Sequence, residues 1–316
     1  MARPVVCVTL QQFCEQDERP RRALEEAGFE VRLNALGRRP RREELAELLR
    51  GADAVLAGVE PYDAAVLAAL PKLRCISRCG VGTDSIDLDA ARARGITVYT
   101  TPDATAEPVA QLTVAMMLAL ARNLMVHAHD CNQGRWKKHT GVLLSEWTVG
   151  LIGFGRVGRA VERLLSAFRP RVFVADPALH AKDLPDGVEL REMPALLAEA
   201  DLVSLHASRR PEEGPLIGAR ELAVMKSGSY LVNTARGFLV DETALSDALR
   251  SGHLAGAALD VFDAEPYTGP LTRLPTVLCT PHVATLTRAS RAMMERQCSD
   301  NVVYHFQHHC AVEEHA

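Results

Sequence analysis

Short apolar runs alternate with polar, helix-periodic stretches along almost the whole chain. In the first hundred residues the runs VVCVTL (5–10), VRLN (31–34), AVLA (54–57), RCIS (74–77) and TVYT (97–100) are aliphatic and β-branched, and they predict strands. Between them lie segments such as RREELAELLRG, where Leu45, Leu48 and Leu49 fall at helical spacing. The stretch 106–131, AEPVAQLTVAMMLALARNLMVHAHDC, predicts one long apolar helix with Pro108 in its first turn, where a missing N–H costs nothing. Such a helix should be buried. Gln111, Thr113, Arg122 and Asn123 argue against a membrane span, and no stretch is expected to be long and charge-free enough to cross a bilayer. A second strand series follows: TVGLIG (148–153), RVFVAD (171–176), LVSLH (202–206), SYLVNT (229–234), AGAALDV (255–261) and TVLCT (276–280). Helical segments fall between these runs. One of them, DETALSDALRSG, opens on Asp241 as a cap and closes at Gly252. A last amphipathic helix, Arg288 to Gln307, should return to pack on the first unit. Strand and helix in repeated alternation predict an α/β protein built on parallel sheets.

Composition narrows the function classes. The chain has 316 residues, 24% charged and 47% hydrophobic, which suits two globular domains or one large one. Forty acids against 36 bases leave a net charge of −4, without the basic excess expected of a nucleic-acid binder. RRPRR at 38–42 is followed at once by Glu43, Glu44 and Glu47, so it reads as a solvated loop and helix start. Eight cysteines include no CxxC and no zinc-type Cys/His spacing; Cys75 and Cys79 are the closest pair and read as buried free thiols. No metal site is expected. The apolar run at 5–10 is too short for a signal-peptide core, so the expectation is a cytoplasmic protein with neither membrane nor nucleic-acid partner.

The run TVGLIGFGRVGRAVERLL carries the first chemistry. A strand leads into Gly153-Phe-Gly155-Arg-Val-Gly158 and then a helix. Gly153 permits a tight turn, Gly155 lets backbone amides approach a pyrophosphate, and Gly158 lets helix and strand pack closely. The helix start supplies unpaired N–H groups for the anion. A second strand ends at Asp176, eighteen residues past Gly158, where a carboxylate can accept both ribose hydroxyls and repel a 2′-phosphate. This predicts a dinucleotide site that takes NAD in preference to NADP, with Arg209 and Arg210 as the residues that could oppose that preference. No Tyr has Lys four residues on, so the Tyr-Lys shuttle of short-chain dehydrogenases is missing. Arg236, Glu265 and His282 each fall just past a later strand, where doubly wound sheets place their ligands.

Those three positions sit in blocks that resemble the D-isomer-specific 2-hydroxyacid dehydrogenases, the phosphoglycerate-dehydrogenase-like group in particular. The blocks run from GVEPYDAAVLAALPKLRCISRCGVGTDSIDLDAARARGITV through GLIGFGRVGRA, LVNTARGFLVDETAL and GHLAGAALDVFDAEP to TPHVATLT, with 29 residues from Arg236 to Glu265 and 17 more to His282. The resemblance implies that Arg236, Glu265 and His282 are the catalytic trio. His282 would be the general acid or base at the substrate's second carbon oxygen, Glu265 would favour its imidazolium form, and Arg236 would clamp carboxylate and polarise carbonyl. It further implies cofactor contacts at Arg156, Val157, His206, Ser208, Thr234, Ala235 and Asp260. The loop 77–82 would hold substrate carboxylate through Gly80, Val81 and Gly82, with Arg78 either meeting a distal anion or serving as a surface charge. The implied architecture is two doubly wound parallel-sheet domains, Rossmann/flavodoxin-like, with a cleft between them. Residues 1–100 and 284–316 would form the substrate domain and 101–283 the NAD-binding domain, and the protein would be a homodimer.

The same blocks depart from the family pattern in places. TPDATAEPVAQL has Asp103 where Gly is common and Gln111 where Glu is common, and ASRRPEEG replaces a Pro-Leu-Thr series. The substrate is therefore left open among small 2-hydroxy or 2-keto acids, including 3-phosphoglycerate-like, glyoxylate or hydroxypyruvate ones, with phosphite or an NAD(H)-responsive corepressor role as alternatives. The Glu at 265, where related formate dehydrogenases carry Gln, argues against that activity. No serine-feedback domain is expected.

Overall fold

A computed structural model describes residues 3–208 and 211–309. The chain divides into two compact units, Met1–Thr105 with Leu286–Ala316, and Ala106–Thr285.

The first unit is a five-stranded parallel sheet. Its strands are β1 (Val5–Val8), β2 (Glu30–Arg32), β3 (Ala54–Ala57), β4 (Cys75–Arg78) and β5 (Thr97–Tyr99), in the order β2-β1-β3-β4-β5. The order reverses between β1 and β3, the flavodoxin-like arrangement. β1 and β3 are buried at every position, as parallel strands covered on both faces must be. The terminal helix Arg288–His309 does return to this unit. Met294, Cys298 and Val302, at helical spacing, pack among Val6, Val8, Leu56 and Cys75. Within RRPRR, Arg38 and Arg42 pair with Glu44 and Asp63, in keeping with a solvated charged loop.

The second unit is a seven-stranded parallel sheet of β6 (Thr148–Ile152), β7 (Arg171–Ala175), β8 (Val188–Leu190), β9 (Leu202–Leu205), β10 (Ser229–Asn233), β11 (Leu254–Leu259) and β12 (Val277–Cys279). The order is β12-β11-β10-β9-β6-β7-β8, so direction reverses between β6 and β9. Side-chain alternation divides the core. Val149 and Leu151 join Met116, Met117 and Leu120 on one face, while Ile152 joins Phe173, Leu196 and Leu205 on the other. Gly150 is on that second face because a Cβ there would lie 2.4 Å from Leu196.

Three expectations are corrected. The predicted helix 106–131 is two helices, Ala106–Ala121 and Leu124–Asn132, because Asn123 turns left-handed at φ 52°. The returning chain caps the break: Val142 N donates to Ala121 O at 2.9 Å and Asn123 Nδ2 to Thr140 O at 3.0 Å. Strand β8 has no apolar run to announce it; it is three half-buried residues on the sheet edge beside β7. By length and composition Pro102–Ala121 is apolar enough to cross a membrane, contrary to expectation. Its Ala110, Val114, Met116, Met117 and Leu120 are instead buried against the second sheet.

Candidate functional site

Local chemistry builds the first half of the site at the reversal between β6 and β9, where an open α/β sheet leaves a crevice. β6 ends at Ile152 and the chain turns through Gly153 at φ 90°, a conformation that favours glycine. A Cβ on Gly153 would lie 2.6 Å from the His206 carbonyl, and one on Gly158 would lie 2.4 Å from Gly153 O. The turn is therefore pressed against β9's end on one side and against its own helix on the other. At Gly155 a Cβ would meet nothing within 4 Å. The open side of the turn thus faces outward at the start of the helix Arg156–Leu165. The positive end of a ten-residue helix and room above Gly155 fit a pyrophosphate. Arg156 and Val157 open that helix.

Asp176 follows β7, as expected of the ribose carboxylate, but it also braces the turn. Its Oδ2 accepts Phe154 N at 2.8 Å and its Oδ1 accepts Ala178 N at 3.0 Å. A carboxylate has about four acceptor positions, so these bonds leave capacity for hydroxyls. Arg209 and Arg210 lie outside the described residues. His206 follows β9. Its Nε2 is 3.0 Å from Ser204 Oγ, and its buried Nδ1 has no hydrogen-bond partner. Burial holds this imidazole down at about 4, so it stays neutral. Ser208 is exposed beyond it. Thr234 is buried with its hydroxyl 2.8 Å from that of Thr113.

The second half lies at the carboxyl ends of three neighbouring strands. Arg236 follows β10, Glu265 follows β11 and His282 follows β12. His282 Nδ1 is 2.9 Å from Glu265 Oε2, so those two residues, 17 apart in sequence, meet. Glu265 Oε1 accepts Phe262 N at 3.1 Å, which fixes the carboxylate's second oxygen. Since the carboxylate only accepts, Nδ1 carries the proton and Nε2 is left for a substrate. The imidazole is 42% exposed, which gives a ligand access to it. His282 itself is left-handed at φ 54°, an uncommon conformation for a non-glycine residue. The Arg236 guanidinium donates Nη1 to Ala235 O at 2.7 Å, and Asn233 Nδ2 donates to Arg236 O at 2.8 Å. Gly237 then passes so close to the next loop that a Cβ would lie 1.8 Å from the Phe262 carbonyl carbon. The Arg-bearing and Glu-bearing loops are thus in direct backbone contact.

Asp260 has a role that sequence reasoning missed. Fully buried, its Oδ1 accepts Thr280 Oγ1 at 2.6 Å and Val283 N at 2.8 Å, and its Oδ2 accepts Ala284 N at 2.9 Å. Its backbone carbonyl accepts His282 N at 2.8 Å. One residue therefore holds the segment that carries the imidazole. Asn233, Gly237 and Thr280 were likewise unmarked; only their adjacency to strand ends in the sequence could have pointed to them.

In the first unit the 77–82 loop is tied to itself. Arg78 donates Nε to Gly82 O at 3.0 Å and another guanidinium nitrogen to Cys79 O. Gly80 has φ 140°, and a Cβ there would strike the Arg78 guanidinium. Gly80 N donates to Thr101 Oγ1 at 2.8 Å. Val81 is exposed. Among the described residues no group of three or more His, Cys, Asp or Glu is placed to hold a metal ion.

Residues 114–284 match the family model for the D-isomer specific 2-hydroxyacid dehydrogenase, NAD binding domain. A D-3-phosphoglycerate dehydrogenase from Mycobacterium tuberculosis is 40% identical over 253 residues, 78% of this chain and 48% of that protein. The chain thus spans about half the length of the curated phosphoglycerate dehydrogenases it matches. A glyoxylate reductase from Thermofilum pendens is 37% identical over 275 residues, 84% of this chain and 81% of that one. Among solved structures, the TT0316 protein from Thermus thermophilus superposes with a TM-score of 0.85 at 37% identity, covering 95% of this chain and 96% of the other.

Proposed function

The chain belongs to the D-isomer-specific 2-hydroxyacid dehydrogenase family, and on that premise we propose that it moves a hydride between NAD and a small D-2-hydroxy or 2-keto acid. The observation that carries the reading is the 2.9 Å contact between His282 Nδ1 and Glu265 Oε2, past the carboxyl ends of strands in the same parallel sheet that carries an NAD-type glycine turn. Bound NAD supplies the hydride donor or acceptor. The remaining work falls to side chains. Glu265 orients the imidazole, which presents Nε2 to the substrate oxygen. In reduction the doubly protonated ring delivers its Nε2 proton to the 2-keto oxygen and is left neutral with Nδ1–H on Glu265, and in oxidation the neutral ring's Nε2 takes the proton from the 2-hydroxyl. Arg236, permanently charged and planar, neutralises the substrate carboxylate and draws electron density from the carbonyl. Asp176 accepts ribose hydroxyls and disfavours a 2′-phosphate, which supports NAD over NADP.

The amides of Val81 and Gly82 are proposed to hold the substrate carboxylate. Arg78, turned onto its own loop's carbonyls, braces those amides. A cytoplasmic homodimer belongs to the same proposal; sedimentation of the purified chain checks the dimer. The activity test is NADH with a panel of 2-keto acids that includes glyoxylate, hydroxypyruvate and phosphohydroxypyruvate, followed by loss of nicotinamide absorbance. Turnover of at least one of these is expected. Silence across the panel with NADH binding confirmed overturns the proposal.

A further inference from the structure

The first sheet has a reversal of its own, between β1 and β3, and a buried carboxylate sits across it. Thr9 follows β1 and Glu60 comes shortly after β3, so both stand where an open α/β sheet takes its ligands. Thr9 is fully buried and Glu60 is only 3% exposed. One carboxylate oxygen is engaged: Oε2 accepts Thr9 Oγ1 at 3.0 Å and Gly58 N at 2.9 Å. Thr9 has one proton and gives it to Glu60, so the buried Tyr62 hydroxyl, 3.2 Å away, donates to Thr9 Oγ1. Oε1 accepts no hydrogen bond, and Glu60 forms no ion pair, among the described residues. The guanidiniums that reach this end of the sheet hold carbonyls, Arg39 that of Val59 and Arg78 those of Cys79 and Gly82. The carboxylate rests against Gly58, where a Cβ would lie 2.7 Å from Oε1 and 2.9 Å from Oε2 and would push it aside. A buried acceptor left without a partner costs free energy, so Oε1 points to a donor that arrives with a ligand.

The 77–82 loop is beside it. Ala57 pairs in register with Arg78, and Cys79 N donates to Ala57 O at 2.8 Å. Further on the two segments still run together, with Tyr62 N donating to Ser85 O at 2.7 Å and Asp87 N to Tyr62 O at 3.0 Å. Neighbouring strands are about 4.8 Å apart, roughly the span from a carboxylate to a substituent two carbons away. We propose that Glu60 sets substrate specificity: Oε1 accepts a hydrogen bond from a hydroxyl on the third carbon, while the Val81 and Gly82 amides hold the carboxylate. The preferred substrate is then a 3-hydroxy-2-keto acid or the matching 2,3-dihydroxy acid. A methyl group there leaves Oε1 without a donor, and a phosphate meets it charge to charge. This assignment rests on the proposed function.

The full chain is assayed with NADH and pyruvate, hydroxypyruvate or phosphohydroxypyruvate. Binding of D-lactate, D-glycerate, D-isoserine and 3-phospho-D-glycerate is measured by calorimetry with NAD present. Hydroxypyruvate should exceed the other two keto acids in kcat/KM by about 10- to 100-fold, the worth of one hydrogen bond to a charged group. In Glu60→Gln the Gly58 N–H holds the side-chain oxygen, so the amide nitrogen takes the Oε1 position as a donor. The hydroxypyruvate-to-pyruvate ratio should then fall by about 10-fold or more and phosphohydroxypyruvate should gain relative to both, at the wild-type urea midpoint. Gly58→Ala, which displaces the carboxylate without removing it, should lose the same ratio. A wild-type ratio near one, or all three keto acids falling together in Glu60→Gln, overturns the assignment. D-isoserine bound more tightly than D-glycerate overturns the hydroxyl in favour of an ammonium. If no keto acid turns over, calorimetry separates the two readings. D-glycerate bound in preference to D-lactate, with the preference lost in Glu60→Gln, supports the Glu60 site and overturns hydride transfer; no binding of either overturns both.

Discussion

Asp260→Asn tests how the imidazole is positioned. The substitution keeps volume and shape but removes the charge that three donors share, Thr280 Oγ1, Val283 N and Ala284 N, at 2.6 to 2.9 Å. An asparagine oxygen in the Oδ1 position can still accept the first two bonds. Its amide nitrogen then confronts the Ala284 N–H, donor to donor, in a site closed to solvent. One charge-assisted bond is lost, worth about 1.5–3 kcal/mol, and a buried N–H is left unsatisfied at about 1–3 kcal/mol. With partial relaxation the segment 280–284 should be destabilised by about 2–4 kcal/mol. Because this segment carries His282, a displacement on the order of 1 Å is expected, with about a 100-fold fall in kcat. The assay is steady-state 2-keto acid reduction by NADH, with NADH affinity measured separately and the urea midpoint recorded for each variant. Thr280→Val serves as the graded control, since it removes only the 2.6 Å hydroxyl bond and should cost no more than about 10-fold. An Asp260→Asn enzyme within about 3-fold of wild-type kcat and at the wild-type urea midpoint would refute the positioning argument.

His282→Ala should lower kcat by about 100- to 10,000-fold while NADH affinity is retained; a wild-type rate would remove its acid–base role. Gly158→Ala and Gly155→Ala should separate folding from cofactor binding. The former places a Cβ 2.4 Å from Gly153 O and should lose stability, whereas the latter enters open space and should weaken NADH binding with a melting temperature close to wild type. Equal effects of the two on stability would contradict the geometry. His206 predicts an acid sensitivity. Its folded value is about 4 and its ordinary value 6.5, so between those the unfolded ring takes up a proton that the folded ring refuses. Stability therefore falls as pH drops through this window, by on the order of 1–2 kcal/mol between pH 7 and pH 5. Urea titrations of wild type and His206→Gln at both pH values check this, and identical pH slopes would rule it out.

Much of the second unit was legible because its signals are local. The glycine spacing 153, 155, 158 reports on backbone angles and close approaches within one turn: Gly153 has φ 90°, a Cβ on Gly155 would enter open space, and a Cβ on Gly158 would lie 2.4 Å from Gly153 O. The apolar runs were legible for a similar reason, since strands covered on both faces must be apolar throughout. Strand β8 escaped because an edge strand of three half-buried residues needs no such run. The helix break at Asn123 escaped because its cause is the returning chain at 140–142, not the helix's own sequence.

What the sequence by itself determined is therefore the kind of protein: parallel α/β units, a dinucleotide turn, and an Arg, a Glu and a His each set just past a strand. Those features follow from residue type and short spacing, which act before distant parts of the chain meet. Tertiary structure alone decided the partners. It put Glu265 on His282 Nδ1, spread Asp260 over three donors of one loop, and turned Asp176 back onto Phe154. Such pairings depend on strand order and on which helix face meets which strand. Those are products of many apolar contacts at once, and spacing along the chain carries no record of them.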